Sequence, residues 1–138
     1  MRNNFALPDN HDFLWEQLID LPYFRGLLRA VESRFYQDLP VVEPVLDLGS
    51  GDASFAAQTF SKKLDVGLDP WRAPMAEARA RNRHKLLTLA EGARMPFANA
   101  SFQTIVSNSV LEHIPDLEPV IEESYRVLRP GGYFLFCS

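Results

Sequence analysis

One acidic residue and a pair of glycines carry the spacing that most directly suggests chemistry. Asp47 lies in a short apolar run that leads straight into Gly49, Ser50 and Gly51. Glycine lets the backbone turn tightly and lets a ligand approach where a Cβ would block it, and the amides of a following helix face that ligand. The Asp47 carboxylate would repel a pyrophosphate but attract an ammonium group. The loop therefore favours a ligand with an amino-acid moiety, and Ser54, where dinucleotide loops carry a glycine, weakens the nicotinamide-oxidoreductase alternative.

A second carboxylate, Asp69, follows the next apolar run, residues 64–68. Nucleotide-binding sheets carry an acid about 20 residues past the glycine loop, where it accepts the hydroxyls of a ribose. Taken alone, Asp69 with Pro70 also fits a helix N-cap followed by a first-turn proline. Beside the glycine loop, the ribose interpretation is favoured.

The elements that must position these residues alternate in type after residue 44. Short β-rich runs are expected as strands at 45–48, 64–68, 85–89, 104–107 and 133–137, and helical patterns lie at 53–60, 73–82 and 117–128. Parallel strands need long crossovers, which these helices supply. The pattern predicts an α/β, doubly wound, mostly parallel sheet.

Helical periodicity also marks the N-terminal segment. Pro22 is expected to begin a helix, with Asp20 near its N-cap, and a shorter helix precedes it. One face of the longer helix is apolar, at Phe24, Leu27, Leu28, Val31 and Phe35. The chain is accordingly divided into an N-terminal helical segment, residues 1–40, and a core, residues 41–138.

Composition and charge exclude several classes of function. The chain has 138 residues, 46% of them hydrophobic, and lacks an apolar run long enough for a membrane span, so no membrane partner is expected. Its net charge of -4 and the absence of a long basic stripe argue against a nucleic-acid partner, and the basic stretch 79–85 is interpreted as a solvated helix end. The single cysteine, Cys137, leaves no internal disulfide or cysteine-based metal site and fits a reducing, cytoplasmic setting.

Over residues 44–138 the chain resembles the class I S-adenosylmethionine-dependent methyltransferases, specifically the branch that acts mostly on small molecules. The resemblance is carried by blocks in the family's order, at residues 45–52, 66–69, 91–97, 107–114 and 126–132. It implies a Rossmann-like sheet, S-adenosyl-L-methionine as the cofactor and methyl transfer to a small-molecule acceptor.

The resemblance also assigns roles around the methionine and ribose parts of that cofactor. Gly49 and Gly51 would approach the methionine part, with Ser50 between them in the same loop. Asp47 would orient the amine, directly or through water, and Asp69 would hold the ribose.

The adenine part would lie farther along the sheet edge. Glu91 would meet the adenine amino group, and the backbone at Gly92 and Ala93 would read the ring edge. Pro70 and Trp71 follow the ribose-binding acid, and Trp71 would pack either on the adenine or on the second helix of the core.

The end of the fourth strand and the segment after it would complete the site. The backbone carbonyls of Ser107 and Asn108 would face the methionine amine. Methyl transfer from a sulfonium is an in-line displacement with a neutral leaving group, so a general base is optional. His113 is the candidate base, and the alternative is a histidine hydrogen-bonded into its loop.

Related metal-dependent enzymes have a glutamate at the position of Ser109, so no metal is expected. The acceptor atom could be oxygen, nitrogen or carbon, and the sequence does not decide between them.

Two departures from the family pattern bear on function. Ala53 occupies the place of the loop's third glycine, and the family's sheet has seven strands whereas this chain reaches only the fifth. Residues 133–137 would then form an apolar edge with unpaired backbone groups, open to association with another copy. The alternative function is a truncated or non-catalytic cofactor-binding module that associates through this edge.

In such folds an N-terminal helix covers the substrate pocket, so the aromatic residues of 1–40 would either form that cover or pack the helix onto the sheet.

Overall fold

The computed structural model describes residues 2–138, apart from the side chain of Asp20. The helices are α1 (Phe13–Asp20), α2 (Tyr23–Tyr36), α3 (Ser54–Thr59), α4 (Arg72–Arg81) and α5 (Glu118–Val127). A 3₁₀ turn spans Leu111–His113. The strands are β1 (Val45–Leu48), β2 (Leu64–Asp69), β3 (His84–Leu89), β4 (Phe102–Asn108) and β5 (Leu128–Cys137).

The strands form one parallel sheet in the order β3-β2-β1-β4-β5. The chain winds outward from β1 through β2 to β3, then crosses back to place β4 on the other side of β1. This reversal opens a crevice at the carboxyl ends of β1 and β4, where open α/β sheets bind ligands. The predicted doubly wound α/β fold is confirmed.

The core lies on both faces of the sheet because successive side chains of a strand point to opposite sides. Leu46 and Leu48 of β1 pack into one cluster, with Leu68 and Ile105 beneath α5. Val45 packs into the other cluster, whose other buried members include Phe5, Tyr36, Phe60 and Val106. All four residues of β1 are buried, as a central parallel strand requires.

The observed bounds of the core elements differ from the predicted ones by at most two residues, except in β5. The last strand begins at Leu128 rather than at residue 133, because Leu128 already pairs with Phe102. The Pro-Gly-Gly sequence that follows makes an irregularity within the pairing, with Gly131 at φ +79°. A turn signal therefore lies inside the strand instead of before it.

Helix α2 packs through the face opposite to the predicted one. Its buried residues are Gly26, Ala30, Ser33 and Tyr36, whereas every member of the apolar face is exposed. Small residues let the helix approach closely: a Cβ at Gly26 would lie 3.2 Å from Leu18 Cδ2 of α1. Close packing along this small-residue face leaves the larger apolar side chains outside.

The aromatic residues of the N-terminal segment are mostly exposed as well. Phe13 is buried, but Trp15, Tyr23, Phe24 and Phe35 are at least 65% exposed. The expectation that they pack the helix onto the sheet is therefore wrong for these four. Their role as a cover over the pocket stays a prediction. Among residues 2–138 there is no helix long and apolar enough to cross a membrane.

Strand β5 lies at the edge of the sheet, as predicted. It pairs with β4 on one side, and Tyr133 and Phe136 are 45% and 58% exposed. Its outer backbone groups therefore face away from the sheet.

Candidate functional site

A cleft of about 1040 Å³ opens at the carboxyl ends of β1, β2 and β4. It brings together all but two of the residues singled out from the sequence: Gly49, Ser50, Gly51, Asp69, Pro70, Trp71, Glu91, Gly92, Ala93, Asn108 and His113. Asp47 and Ser107 do not line it. Residues scattered over more than 60 positions of the chain thus share one site because parallel strands end at the same sheet edge.

The two glycines of the loop after β1 are needed for different reasons. Gly49 has φ +75°, and a Cβ there would meet Val110 Cγ2 at 2.5 Å. Gly51 has φ +53°, but a Cβ there would find no protein atom within 4 Å. Gly49 therefore makes room for the segment after β4, whereas Gly51 leaves open space in the cleft that a ligand can approach.

Asp69 connects the two loops that meet in the cleft. Its Oδ2 accepts a hydrogen bond from the Gly51 amide at 3.0 Å, and its Oδ1 accepts one from the Trp71 amide at 2.9 Å. Asp69 as a whole is 7% exposed, yet each carboxylate oxygen keeps lone-pair capacity for a further donor such as a ribose hydroxyl. Asp69 is not the helix N-cap, since Trp71 occupies that position without a side-chain cap.

Two buried polar atoms of the cleft wall have no partner among the described residues. They are the hydroxyl oxygen of Ser50 and Oδ1 of Asn108. The Asn108 amide nitrogen donates to Glu32 at 2.9 Å, which assigns the oxygen as the unsatisfied end. Buried polar groups are normally hydrogen-bonded, so both atoms fit a polar ligand, and Asn108 Oδ1 fits a donor such as an ammonium group.

Asp47 stands behind the cleft wall and pairs with a histidine that the sequence argument missed. Its Oδ2 lies 2.8 Å from Nε2 of His84, and the two side chains are 2% and 0% exposed. Gly67 allows this contact, because a Cβ there would lie 2.9 Å from the imidazole ring. His84 is therefore buried rather than part of a solvated helix end, and a glycine inside a predicted strand was the available signal.

Ser107 also lies behind the wall. Its carbonyl accepts a hydrogen bond from the Tyr36 hydroxyl at 3.2 Å, and its own hydroxyl donates to the Leu48 carbonyl at 3.0 Å. Tyr36 reaches Leu135 of β5 as well, at 3.3 Å, and burial raises the pKa of its phenol. These contacts fasten α2 to the ends of β4 and β5.

The segment that carries Glu91, Gly92 and Ala93 is fixed from α5. Arg126 donates to the carbonyls of Met95 and Phe97 at 2.9 and 2.7 Å, and also holds Glu123 through two hydrogen bonds.

Glu123 in turn accepts the Met95 amide at 2.7 Å. Hydrogen bonding from Arg126 lowers the pKa of Glu123 to about 2. The Arg126–Glu123 pair therefore fixes one side of the cleft by contacts that do not involve a ligand.

Trp71 and His113 line the cleft with largely exposed side chains. Trp71 is 70% exposed, so its ring has room to contact a ligand. The His113 side chain is 78% exposed, and its nearest charged neighbour is Glu112 at 3.9 Å. His113 is not hydrogen-bonded into its loop through the ring; only its backbone amide donates, to Val110.

The N-terminal helices contribute polar side chains to the cleft. These side chains were not predicted from the sequence, because only the apolar face of the longer helix stood out there. Gln17 of α1 donates to Gln58 of α3 at 2.6 Å. Arg25, Arg29 and Ser33 of α2 also line the cleft. The segment 1–40 does contribute to this wall, but through its polar face.

No cluster of three or more histidine, cysteine, aspartate or glutamate side chains suited to a metal ion occurs within residues 2–138. The cleft instead combines a glycine loop, a carboxylate after β2 and orphaned polar atoms at the switch point of a parallel sheet. This arrangement defines a nucleotide-binding α/β protein of the class I methyltransferase type. Residues 46–136 match the family model described as "Methyltransferase domain", and the chain belongs to that family.

Individual relatives support this assignment. An uncharacterized methyltransferase of Mycobacterium sp. (strain JLS) is 36% identical over 130 residues, which is 88% of this chain and 51% of that protein. The demethylmenaquinone methyltransferase of Streptomyces griseus subsp. griseus is 31% identical over 131 residues, covering 94% and 55%. The chain thus spans about half the length of the curated relatives it matches.

A solved structure shares the fold. The crystal structure of a SAM-dependent methyltransferase of Thermotoga maritima, named as a possible histamine N-methyltransferase, superposes with a TM-score of 0.71. It is 22% identical and covers 89% of this chain and 59% of that protein.

Proposed function

We propose that this chain binds S-adenosyl-L-methionine and forms the cofactor-binding part of an enzyme that methylates a small-molecule acceptor. The contact between Asp69 and Gly51 carries the proposal. One carboxylate joins the loops after β1 and β2, and both residues line the same cleft. The open space beside Gly51 gives a ligand access to that carboxylate.

The cofactor would supply a methyl group on a sulfonium, and the chain's residues would bind and orient it. Asp69 would accept the ribose hydroxyls while holding both loops in place. Ser50 and Asn108 would use their unsatisfied oxygens for the polar groups of the methionine part. Glu91, with the backbone of the two residues after it, would bind the adenine edge.

Asp47 would act only indirectly on the amine of the cofactor's methionine part. It is buried against His84 and does not reach the cleft as the loop residues do. Ser107 would likewise position its neighbour Asn108. Both residues are therefore proposed to support the cleft wall.

His113 would serve as the general base where the acceptor needs to lose a proton. Its imidazole is exposed on the cleft and makes no side-chain hydrogen bond within the described part of the chain. The named acceptors of similar proteins are demethylmenaquinone for one relative and possibly histamine for a structural neighbour. Both are small molecules, which supports that acceptor class without selecting the acceptor atom.

A second candidate function rests on the edge of β5. Its outer side is unpaired in the sheet, and Tyr133 and Phe136 are exposed there. As this second candidate, we propose that the chain is a non-catalytic cofactor-binding module that associates with a second copy through this edge. Sedimentation measurements would support the candidate if the chain dimerises and a Phe136→Lys variant does not.

The test of the main proposal is a calorimetric titration with S-adenosylhomocysteine. Asp69→Asn should weaken binding at least about tenfold, because an amide lacks the charge and presents a donor to one of two backbone amides. Asp38→Asn, an exposed change of the same charge outside the cleft, should leave the affinity unchanged. Equal affinities of wild type and Asp69→Asn would contradict the ribose assignment.

A further inference from the structure

One side of α2 contacts the end of β4 and the residue after it. Three residues of the helix, spaced three and four apart, share that side. The contacts are from Arg29 to the Ser109 hydroxyl, from the Asn108 amide nitrogen to Glu32, and from Tyr36 to the Ser107 carbonyl. The residues that end β4 are therefore held by α2.

The backbone after β4 is fixed from a second direction. Ser109 has φ +55°, in the left-handed region that favours glycine. Its amide donates to the Cys137 carbonyl of β5 at 2.7 Å. Asn108 thus lies in a segment whose backbone is held by both α2 and β5, and the freedom that remains is the orientation of its side-chain amide.

Glu32 determines that orientation. Its Oε2 accepts hydrogen bonds from Asn108 Nδ2 and from Nη1 of Arg29, each 2.9 Å long. An ionised carboxylate accepts hydrogen bonds but cannot donate them, so it pairs with the nitrogen of the amide and would repel the oxygen. The Glu32 side chain is only 17% exposed, so the contact is little weakened by solvent.

The other end of the amide faces the cleft. Asn108 lines the cleft, whereas Glu32 does not. Asn108 Oδ1 is buried and has no partner among the described residues. With the nitrogen turned toward Glu32, the amide offers a ligand an acceptor and no donor. An ammonium group satisfies that oxygen, whereas a group without a donor leaves it unpaired.

We propose that Glu32 is a positioning residue that turns the Asn108 oxygen into the cleft and so makes the site selective for a ligand with an amine. This inference rests on the proposed function, in which that ligand is the cofactor and the amine belongs to its methionine part. Glu32 acts through Asn108 and does not contact the ligand. Arg29 already offsets the charge of Glu32, so the orientation of the amide carries the selectivity.

The test compares S-adenosylhomocysteine with its desamino analogue, in which hydrogen replaces the amine, by calorimetric titration of the full chain. Both ligands keep the carboxylate, so a change in the binding of that group cancels in the ratio of the two dissociation constants. The wild type should prefer S-adenosylhomocysteine by about tenfold or more, because the analogue lacks a charge-assisted hydrogen bond. Glu32→Met should reduce that preference at least about fivefold, because no acceptor then holds the amide nitrogen.

Three further variants separate amide orientation from other effects. Glu32→Gln loses the same charge but keeps an acceptor oxygen, so its preference should stay within about twofold of the wild type. Asn108→Ala should lower the preference as much as Glu32→Met, and adding Glu32→Met to it should change the preference no further. Glu122→Met, an exposed change on α5 outside the cleft, should leave the preference unchanged.

Several results would overturn the inference. They are an undiminished preference in Glu32→Met, an equal loss in Glu32→Met and Glu32→Gln, and a further loss when Glu32→Met is added to Asn108→Ala. Circular dichroism shows which variants fold, and the comparison of Asn108→Ala with Glu32→Gln tests the inference without Glu32→Met. Binding of neither ligand by the folded wild type would contradict the proposed function and the inference with it, whereas equal binding of both ligands would overturn the inference alone.

Discussion

Replacing each glycine of the loop after β1 by alanine should separate folding from ligand binding. Both residues have positive φ, and an alanine in that region costs about 1–2 kcal/mol. At Gly49 the new Cβ would also lie 2.5 and 2.6 Å from two methyl carbons of Val110, and such overpacking costs about 1–3 kcal/mol more. Gly49→Ala should therefore lose roughly 2–5 kcal/mol of unfolding free energy, whereas Gly51→Ala, with no atom within 4 Å, should lose only about 1–2 kcal/mol.

The loss of affinity for S-adenosylhomocysteine should be larger for Gly51→Ala than for Gly49→Ala, which is the opposite of the order for stability. The Cβ of Gly51→Ala would enter open space in the cleft, so this variant should bind S-adenosylhomocysteine more weakly although it folds well. Urea denaturation gives the unfolding free energies, and calorimetry on the folded variants gives the affinities.

A double variant, Gly49→Ala with Val110→Ala, isolates the collision. It should be more stable than the sum of the single changes predicts by about 1–3 kcal/mol, because the shortened side chain no longer meets the new Cβ. Gly49→Ala that is no less stable than Gly51→Ala would refute the reasoning, since it would mean that Val110 moves aside without cost.

Three further perturbations test the contacts behind the cleft wall. His84→Phe should lower the free energy of unfolding, measured by urea denaturation, by about 3–5 kcal/mol, because it leaves Asp47 buried without its partner. Adding Asp47→Leu to this variant should recover part of the loss, because the buried charge is then removed. Tyr36→Phe should cost about 1 kcal/mol through loss of the phenol's hydrogen bonds to two carbonyls, with an unchanged denaturant slope. The hydrogen bond from Arg126 lowers the pKa of Glu123 from 4.5 to about 2 in the folded protein. The ionised Glu123 therefore stabilises the fold above pH 4.5, and this contribution is lost as the pH falls from about 4.5 toward about 2. Glu123→Gln should remove that acid-dependent part from a pH series of thermal unfolding, and an unchanged pH profile would contradict it.

The sheet and most of the cleft were predictable because they depend on local signals. A strand that ends in a glycine loop, and an acid that ends the next strand, meet at one edge in any doubly wound parallel sheet. Gly51 and Asp69 were found in this way, and the structure joins them by a hydrogen bond of 3.0 Å.

The contacts that cross the sheet were not predictable from spacing. His84 reaches Asp47 over Gly67, across an intervening strand, and no sequence interval encodes that distance. The face of α2 was predicted wrongly for a related reason. Hydrophobicity favoured the side that carries Phe24, but close approach to α1 requires a small residue such as Gly26.

The ability of this cleft to discriminate between cofactors is the central claim, and a pair of calorimetric titrations tests it most directly. The folded chain is titrated with S-adenosylhomocysteine and, separately, with NAD⁺. We expect saturable binding of S-adenosylhomocysteine in the micromolar range and much weaker binding of NAD⁺. No S-adenosylhomocysteine binding by the folded chain, or tighter binding of NAD⁺, would contradict the assignment.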